Sequence, residues 1–143
     1  MTIPTIEIRS DPLDAARANI LPDTPIFMLN LLRFRDQAHY ADRNEPPCSG
    51  RDAYYTRYAP VATKLVLEIG GQVIWAGSAL AHIVAPADER WDDVLLVRYP
   101  NFARIMELFE KPEYQAVVHH RTAALADSRL IATQAMEGLV PNP

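Results

Sequence analysis

Between Pro25 and a polar stretch that begins at Arg35, the run Ile26-Phe27-Met28-Leu29-Asn30-Leu31-Leu32-Arg33-Phe34 is short, apolar and bounded, which is the pattern of a buried strand. Residues 36–50 are polar and Pro-containing and read as a loop. Over 51–69 the spacing changes to helical, with Tyr54, Tyr58, Val61, Leu65 and Ile69 on one stripe. Gly70-Gly71 supplies the left-handed stop, and Pro60 is expected to kink that helix or split it in two. β-Branched and small residues from Gln72 to Val84 predict a second, long strand, where Gly77 marks a bulge or a close backbone approach. Pro86 to Asp92 is a polar turn, with Asp92-Asp93 read as solvated, and Val94 to Tyr99 is a third strand. Pro100-Asn101 opens a helix to about Glu110 with Phe102, Ile105, Met106 and Phe109 inward. A further helical run from Pro112 to about Ala126 places Tyr114, Val117, Val118 and Arg121 at helical spacing. Asp127-Ser128 then turns the chain into a fourth strand, Leu130 to Ala135. Ahead of all this, Asp11-Pro12-Leu13-Asp14 has an Asp cap, a Pro at the first helical position and an acidic first turn, predicting a short helix over about 12–20.

The expected organisation is an N-terminal arm over 1–24, a main domain over 25–136 and a tail over 137–143. The element order β-α-β-β-α-(α)-β is that of an α+β, ferredoxin-like βαββαβ domain: a four-stranded antiparallel sheet with helices on one face. Alternation leaves the other face to be explained. Along the third strand Leu95, Val97 and Tyr99 oppose Val94, Leu96 and Arg98; along the first, Phe27, Leu29 and Leu31 oppose Met28, Asn30 and Leu32. A half-solvated sheet would show a polar outer row. Both rows here are largely apolar, so a second copy is expected to cover the open face, giving a homodimer.

Composition narrows the function class. A net charge of −4 and a pI near 5.5 argue against nucleic acid, which demands a concentrated basic surface. No apolar run approaches the roughly 20 residues that span a bilayer, and MTIPTIEIRSDP lacks the basic start and apolar stretch of a secretory signal. Cys48 is the single cysteine, which excludes an internal disulfide and fits a cytoplasmic chain. With no His near it in sequence, it is not a strong nucleophile candidate.

Several segments look familiar in combination. Met28-Leu29-Asn30-Leu31-Leu32-Arg33-Phe34, then Gly70-Gly71 leading through Trp75-Ala76-Gly77, then Trp91-Asp92-Asp93-Val94-Leu95-Leu96-Val97-Arg98-Tyr99-Pro100, and Lys111-Pro112-Glu113-Tyr114 followed by Arg121 and Asp127-Ser128-Arg129-Leu130 together resemble the domain of unknown function 1330 family, within the dimeric α+β barrel superfamily. The resemblance covers roughly residues 25–135. It implies a ferredoxin-like fold whose two sheets pack into a barrel across a dimer. That superfamily includes cofactor-independent oxygenases, haem enzymes, small isomerases and modules without demonstrated chemistry, so membership does not choose a reaction. The arm and the 36–50 loop look longer than a minimal domain needs.

Candidate chemistry rests on polar residues in apolar strands. Asn30 has apolar neighbours on both sides, and a buried amide must find partners. Arg98 continues the row Val94, Leu96; as a fixed cation it either orients an acidic ligand or pairs with a carboxylate. Trp75, Tyr58 and Tyr114 complete the candidate ligand-binding set, and His82 is the candidate catalytic base. No metal site or cofactor is expected: the histidines His39, His82, His119 and His120 show no i, i+4 spacing, and adjacent His119 and His120 point about 100° apart on a helix. Two readings follow. One is a small-molecule site for a planar or acidic metabolite in a cavity behind the sheet, of the kind a cofactor-independent oxygenase or isomerase would use. The other is a non-catalytic ligand-binding or assembly module.

Overall fold

A strand that is apolar on both faces is stable only in the middle of a sheet, and that is where β1 (Ile26–Phe34) lies. The computed structural model describes residues 3–42 and 44–141. In it β1 pairs antiparallel with β3 (Asp93–Tyr99) on one side and β4 (Leu125–Thr133) on the other, while β2 (Gln72–Ser78) completes the sheet beside β3. The order β2-β3-β1-β4 is that of a ferredoxin-like sheet. Residues of even number in β1 (Ile26, Met28, Leu32 and Phe34) join Val97 and Tyr99 of β3 in one core with the helices.

Those helices are α2 (Gly50–Asp52), α3 (Ala59–Glu68), α4 (Phe102–Glu110), α5 (Pro112–Gln115) and α6 (Val118–Ala124). Between α2 and α3, Ala53–Tyr58 is π-helical. Pro60 explains it: a proline ring crowds the carbonyl four residues back and offers no N–H, and the wider π turn ahead of it relieves both without ending the helix. The expected kink is thus absorbed as a change of pitch, and it sets the tyrosines of that turn. Asn101 caps α4 by accepting from the Arg104 N–H at 3.0 Å.

The arm carries α1 (Ser10–Asn19), which starts two residues ahead of the expected Pro12, so Asp11 sits in the first turn and pairs with Arg9 instead of capping. Ile6, Ile8, Leu13, Ala16 and Ile20 rest on the core. Thr5 is tied to β4: its N–H donates to Asp127 Oδ1 at 2.9 Å, and Ser128 Oγ donates to its carbonyl at 2.7 Å.

Four expectations are corrected. β2 ends at Ser78, not Val84, because its partner β3 begins at Asp93 and nothing continues the ladder; 79–90 is an exposed loop. The helical run after Pro112 breaks at Ala116 and Val117, and the chain is already extended at Leu125, so Asp127 and Ser128 lie inside β4. Their polarity serves the arm, not a turn. Asp92-Asp93 is not solvated either: Asp92 Oδ2 accepts the Phe34 N–H at 2.8 Å, and Asp93 is buried between Arg51 and Tyr55. The bulge in β2 falls at Ile74 rather than Gly77, between the pairs Val73–Val97 and Trp75–Leu96. That extra residue turns Trp75 to the outer face, and its indole lies against Gly77.

Gly50 shows how tightly α2 meets the sheet. Its N–H donates to the Arg35 carbonyl at 3.0 Å, and a Cβ there would lie 2.5 Å from the Ala124 oxygen and 2.8 Å from the Arg35 nitrogen. These are backbone atoms that cannot rotate away. Gly50→Ala should therefore cost about 3 kcal/mol, the upper end of ordinary overpacking penalties, read as a fall in the denaturant midpoint at constant m-value.

Candidate functional site

A cavity of about 240 Å³ lies between the helices and the inner face of the sheet. Met28 and Asn30 of β1, Leu95, Val97 and Tyr99 of β3, and Leu130 of β4 form its floor; Tyr54, Tyr55 and Tyr58 of the π turn, Tyr114 of α5 and Arg121 of α6 form its roof. Most of the lining is apolar. The polar side chains are phenols, the Thr63 hydroxyl, one amide and one guanidinium.

The phenols are held neutral. The Tyr58 and Tyr114 hydroxyls bond each other at 2.9 Å. Burial pushes the Tyr54 pKa up to about 12, drives Tyr58 well above the ordinary phenol range, and raises Tyr99 and Tyr114 as well, although the bond from Tyr58 pulls Tyr114 partly back. For Tyr55, burial and then the hydrogen bond to Asp93 both raise it. Asn30 donates through Nδ2 to the Met28 carbonyl of its own strand at 3.2 Å, and its Oδ1 has no partner among the described residues.

Arg121 is the distinctive group. It is only 4% exposed. One nitrogen donates to the Ile6 carbonyl and another reaches Ser128 Oγ at 3.5 Å. Among the described residues no carboxylate pairs with it. A guanidinium carries five N–H donors, so two protein contacts leave capacity on the side of the cavity. The other inner-face arginine is different in kind: Arg51 grips Asp93 through two bonds of 2.9 and 3.2 Å and stacks over Phe34, a closed cluster at the end of β3.

A larger groove of about 660 Å³ separates α1 from α4, but it is open, and of the charged groups at its rim Arg17, Glu107 and Glu110 are exposed and Lys111 is half-buried. Outside both cavities, His119 and His120 of α6 stack with ring centroids 4.0 Å apart, and Glu45 of the 36–50 loop joins them. His119 Nε2 is 3.3 Å from Glu45 Oε1, and His120 Nδ1 is 2.7 Å from the Tyr40 hydroxyl.

The sequence pattern of the domain of unknown function DUF1330 matches residues 50–136, more than half of the chain. The chain belongs to the DUF1330 family. Two solved structures agree over nearly the full length. The methylated RPA0582 protein is 33% identical, with a TM-score of 0.88 over 97% of this chain and all of that one. The RPA0582 protein of Rhodopseudomonas palustris, described as of unknown function, is 34% identical, with a TM-score of 0.86 over 94% of this chain and 99% of that one. Among curated proteins, none matches. Coverage of 97% means that the arm and the 36–50 loop belong to the shared architecture.

In this DUF1330 chain the candidate residues divide between the two faces of the sheet. Asn30, Tyr58 and Tyr114 converge on the cavity. Arg98 and Trp75 do not: Arg98 pairs with Phe27 and Gln72 on the outer face, where its guanidinium lies 6.0 Å from the Phe27 ring, and Trp75 stands exposed beside Leu96. His82 lies in the exposed 79–90 loop, where its Nε2 accepts the Trp91 N–H at 2.8 Å, a loop-fastening contact, and it is not part of the cavity lining. Cys48 is half-buried in its loop and its carbonyl accepts from Ala38.

The residue that sequence reasoning underrated is Arg121. It shares an apolar helical stripe with Tyr114, and a cation on an inward stripe is the signal that was present. Tyr54 was visible on the inward helical stripe but was read as core, and Tyr55 was hidden by the π turn, which no residue spacing announces. No helix of the described residues is long and apolar enough to cross a membrane.

All six tyrosines have raised pKa values, burial being the first cause in each. A phenol raised above its unfolded value of about 10 stabilises the fold fully below pH 10 and loses that contribution as pH climbs toward the folded value. Stability should therefore stay level to about pH 9 and fall between pH 10 and about 12, the value set by Tyr54. Absorbance at 295 nm should show no normal tyrosine step near pH 10, and phenolate should form together with unfolding by circular dichroism. Tyr54→Phe should make the alkaline decline shallower.

Proposed function

We propose that this protein is a homodimeric small-molecule-binding protein whose cavity takes a compact, largely apolar compound carrying one carboxylate or enolate oxygen. Arg121 carries this reading. A cation buried among apolar side chains is unfavourable unless something negative or strongly accepting faces it, and the chain itself offers one carbonyl and one long hydroxyl contact. The neutral phenols and Asn30 supply further donors beside it. At about 240 Å³ the space is below the roughly 300–1,000 Å³ of drug-sized sites, so the ligand is small. The cavity lining holds no histidine and no carboxylate. Phenols with raised pKa are poor bases at neutral pH, so binding is proposed here without a chemical step.

The test is calorimetric titration of the full chain with a panel of compact aromatic and aliphatic carboxylates, each beside its neutral amide. Saturable binding of a carboxylate, absent for its amide and weakened at least about 100-fold in Arg121→Met, is expected; such a charge-assisted contact is worth about 1.5–3 kcal/mol or more when buried. Arg98→Met, on the other face, should bind as the parent does. Equal binding of acid and amide, or retention of affinity in Arg121→Met, would overturn the reading.

The homodimer rests on the outer face. Leu29, Leu31, Val94 and Leu96 are only partly covered there, Trp75 is 62% and Ile131 46% exposed, and in the adjoining loop Leu80, Ile83 and Val84 stand almost fully in solvent. A second copy covering this surface would bury roughly 1,600 Å² in total and would also cover Arg98, which makes no ion pair with a described residue of its own chain. Light scattering should give about twice 16.1 kDa at micromolar concentration. Leu96→Asp, a charge at the centre of that face, should give a monomer that retains its far-ultraviolet spectrum.

A further inference from the structure

A second ligand class fits a place the cavity does not touch. We propose that Glu45, His119 and His120 form a surface site for one late first-row divalent ion, Zn²⁺ or its neighbours Ni²⁺ and Cu²⁺. One ligand atom from each of the three residues lies within 4.8 Å of the others. The expectation that adjacent histidines diverge fails because His119 and His120 sit at the start of α6, just past the break at Val117, where their rings stack at 4.0 Å with planes 37° apart. Glu45 reaches them from the 36–50 loop, 74 residues away in sequence, which is why no spacing announces the set.

The chemistry of the donors selects the ion. Two imidazoles and one carboxylate make the mixed nitrogen and oxygen set that zinc and its neighbours take, with ligand bonds of about 2.0–2.2 Å and further positions left for water. Ca²⁺ and Mg²⁺ want several oxygen ligands, and this cluster has one carboxylate, with the Arg57 guanidinium 3.1 Å from the neighbouring Tyr40 hydroxyl. Ligand atoms around such an ion stand roughly 3.3 Å apart, a consequence of those bond lengths. The His119–Glu45 pair is already at 3.3 Å. The remaining closure is a side-chain rotation, and His119 has the freedom for it because its side chain is 49% exposed.

His120 also has an outer partner, the usual companion of a metal-bound imidazole. Its Nδ1 lies 2.7 Å from the Tyr40 hydroxyl, leaving Nε2 as the other ring nitrogen. Tyr40 is in turn fixed by Arg57, which also donates to the Pro46 carbonyl at 2.9 Å. The bound ion would fasten the 36–50 loop to α6.

Calorimetric titration of untagged, chelator-stripped full-length protein with ZnCl₂ and NiCl₂ should give one ion per chain with a dissociation constant of about 10 µM or tighter, a binding free energy near −7 kcal/mol. His119→Ala, His120→Ala and Glu45→Gln should each weaken it at least about tenfold, as should Tyr40→Phe, whose hydroxyl only orients His120. CaCl₂ and MgCl₂ should give no heat of binding at the same concentrations. Circular dichroism should be unchanged in all four variants, because none of these side chains is fully buried. Arg121→Met should leave the zinc affinity unaltered, which separates this site from the cavity. Affinity retained in both histidine variants, or no saturation by 100 µM zinc, would overturn the proposal.

Discussion

A guanidinium enclosed by tyrosines and leucines constrains everything around it. Arg121 cannot shed its proton, so the fold has to supply acceptors or leave the charge uncompensated at a cost of several kcal/mol. The supply comes from the two ends of the chain. The Ile6 carbonyl arrives with the arm, and Ser128 Oγ arrives with β4. Thr5 is stitched to Asp127 and Ser128 on the same strand, so the arm is registered against the sheet at the very point where it meets the cation. Asp127, whose pKa burial raises but the Thr5 and Ser128 N–H donors and Arg129 together bring below the ordinary value, is spent on that stitching and not on Arg121. The cavity exists because the acceptors on one side of Arg121 come from the arm while the other side is left to phenols that remain uncharged.

The sheet shows a second division of labour. Alternation in β1 and β3 assigns Met28, Asn30, Leu95 and Val97 inward and Leu29, Leu31, Val94 and Leu96 outward. The inner row meets helices; the outer row meets nothing in the monomer. A single-residue bulge at Ile74 adds Trp75 to the outer row, enlarging the apolar surface at the edge strand. Edge strands normally carry charge to prevent association. β2 instead carries Val73, Ile74 and Trp75 with no lysine, arginine or acidic residue. That choice is consistent with a covered edge, not a solvated one.

How much of this was legible in the sequence follows from what each signal measures. Periodicity located β1, β3 and α4 within a residue or two, because each is set by burial of its own side chains. It overran in β2, where strand-forming residues continue past Ser78 after the partner strand has ended; pairing, not propensity, ends a strand. It misplaced β4, where Asp127 and Ser128 look like turn residues but are recruited by an arm more than 120 positions earlier. The lining of the candidate cavity was legible by half. Asn30, Tyr58 and Tyr114 announced themselves as polar atoms on apolar stripes, whereas Trp75 required knowledge of the bulge, and Arg98 required knowing which face the helices cover.

The same reasoning explains why α6 concentrates chemistry. It is a seven-residue helix wedged between the 36–50 loop, the π turn and β4. His119 and His120 stack together on its outer side, whereas Arg121 leaves the same short segment toward the core. The histidines meet Tyr40 and Glu45 of the loop, and Arg121 turns inward to the tyrosines and the arm. The backbone of its last turn is claimed too: the Ala123 and Ala124 carbonyls accept the His39 and Arg35 N–H groups, each at 2.9 Å. A helix pinned this way has little freedom to rotate. The inward guanidinium and the outward imidazoles are therefore held in fixed relation, and whatever tightens the 36–50 loop also tightens the wall that presents Arg121 to the cavity.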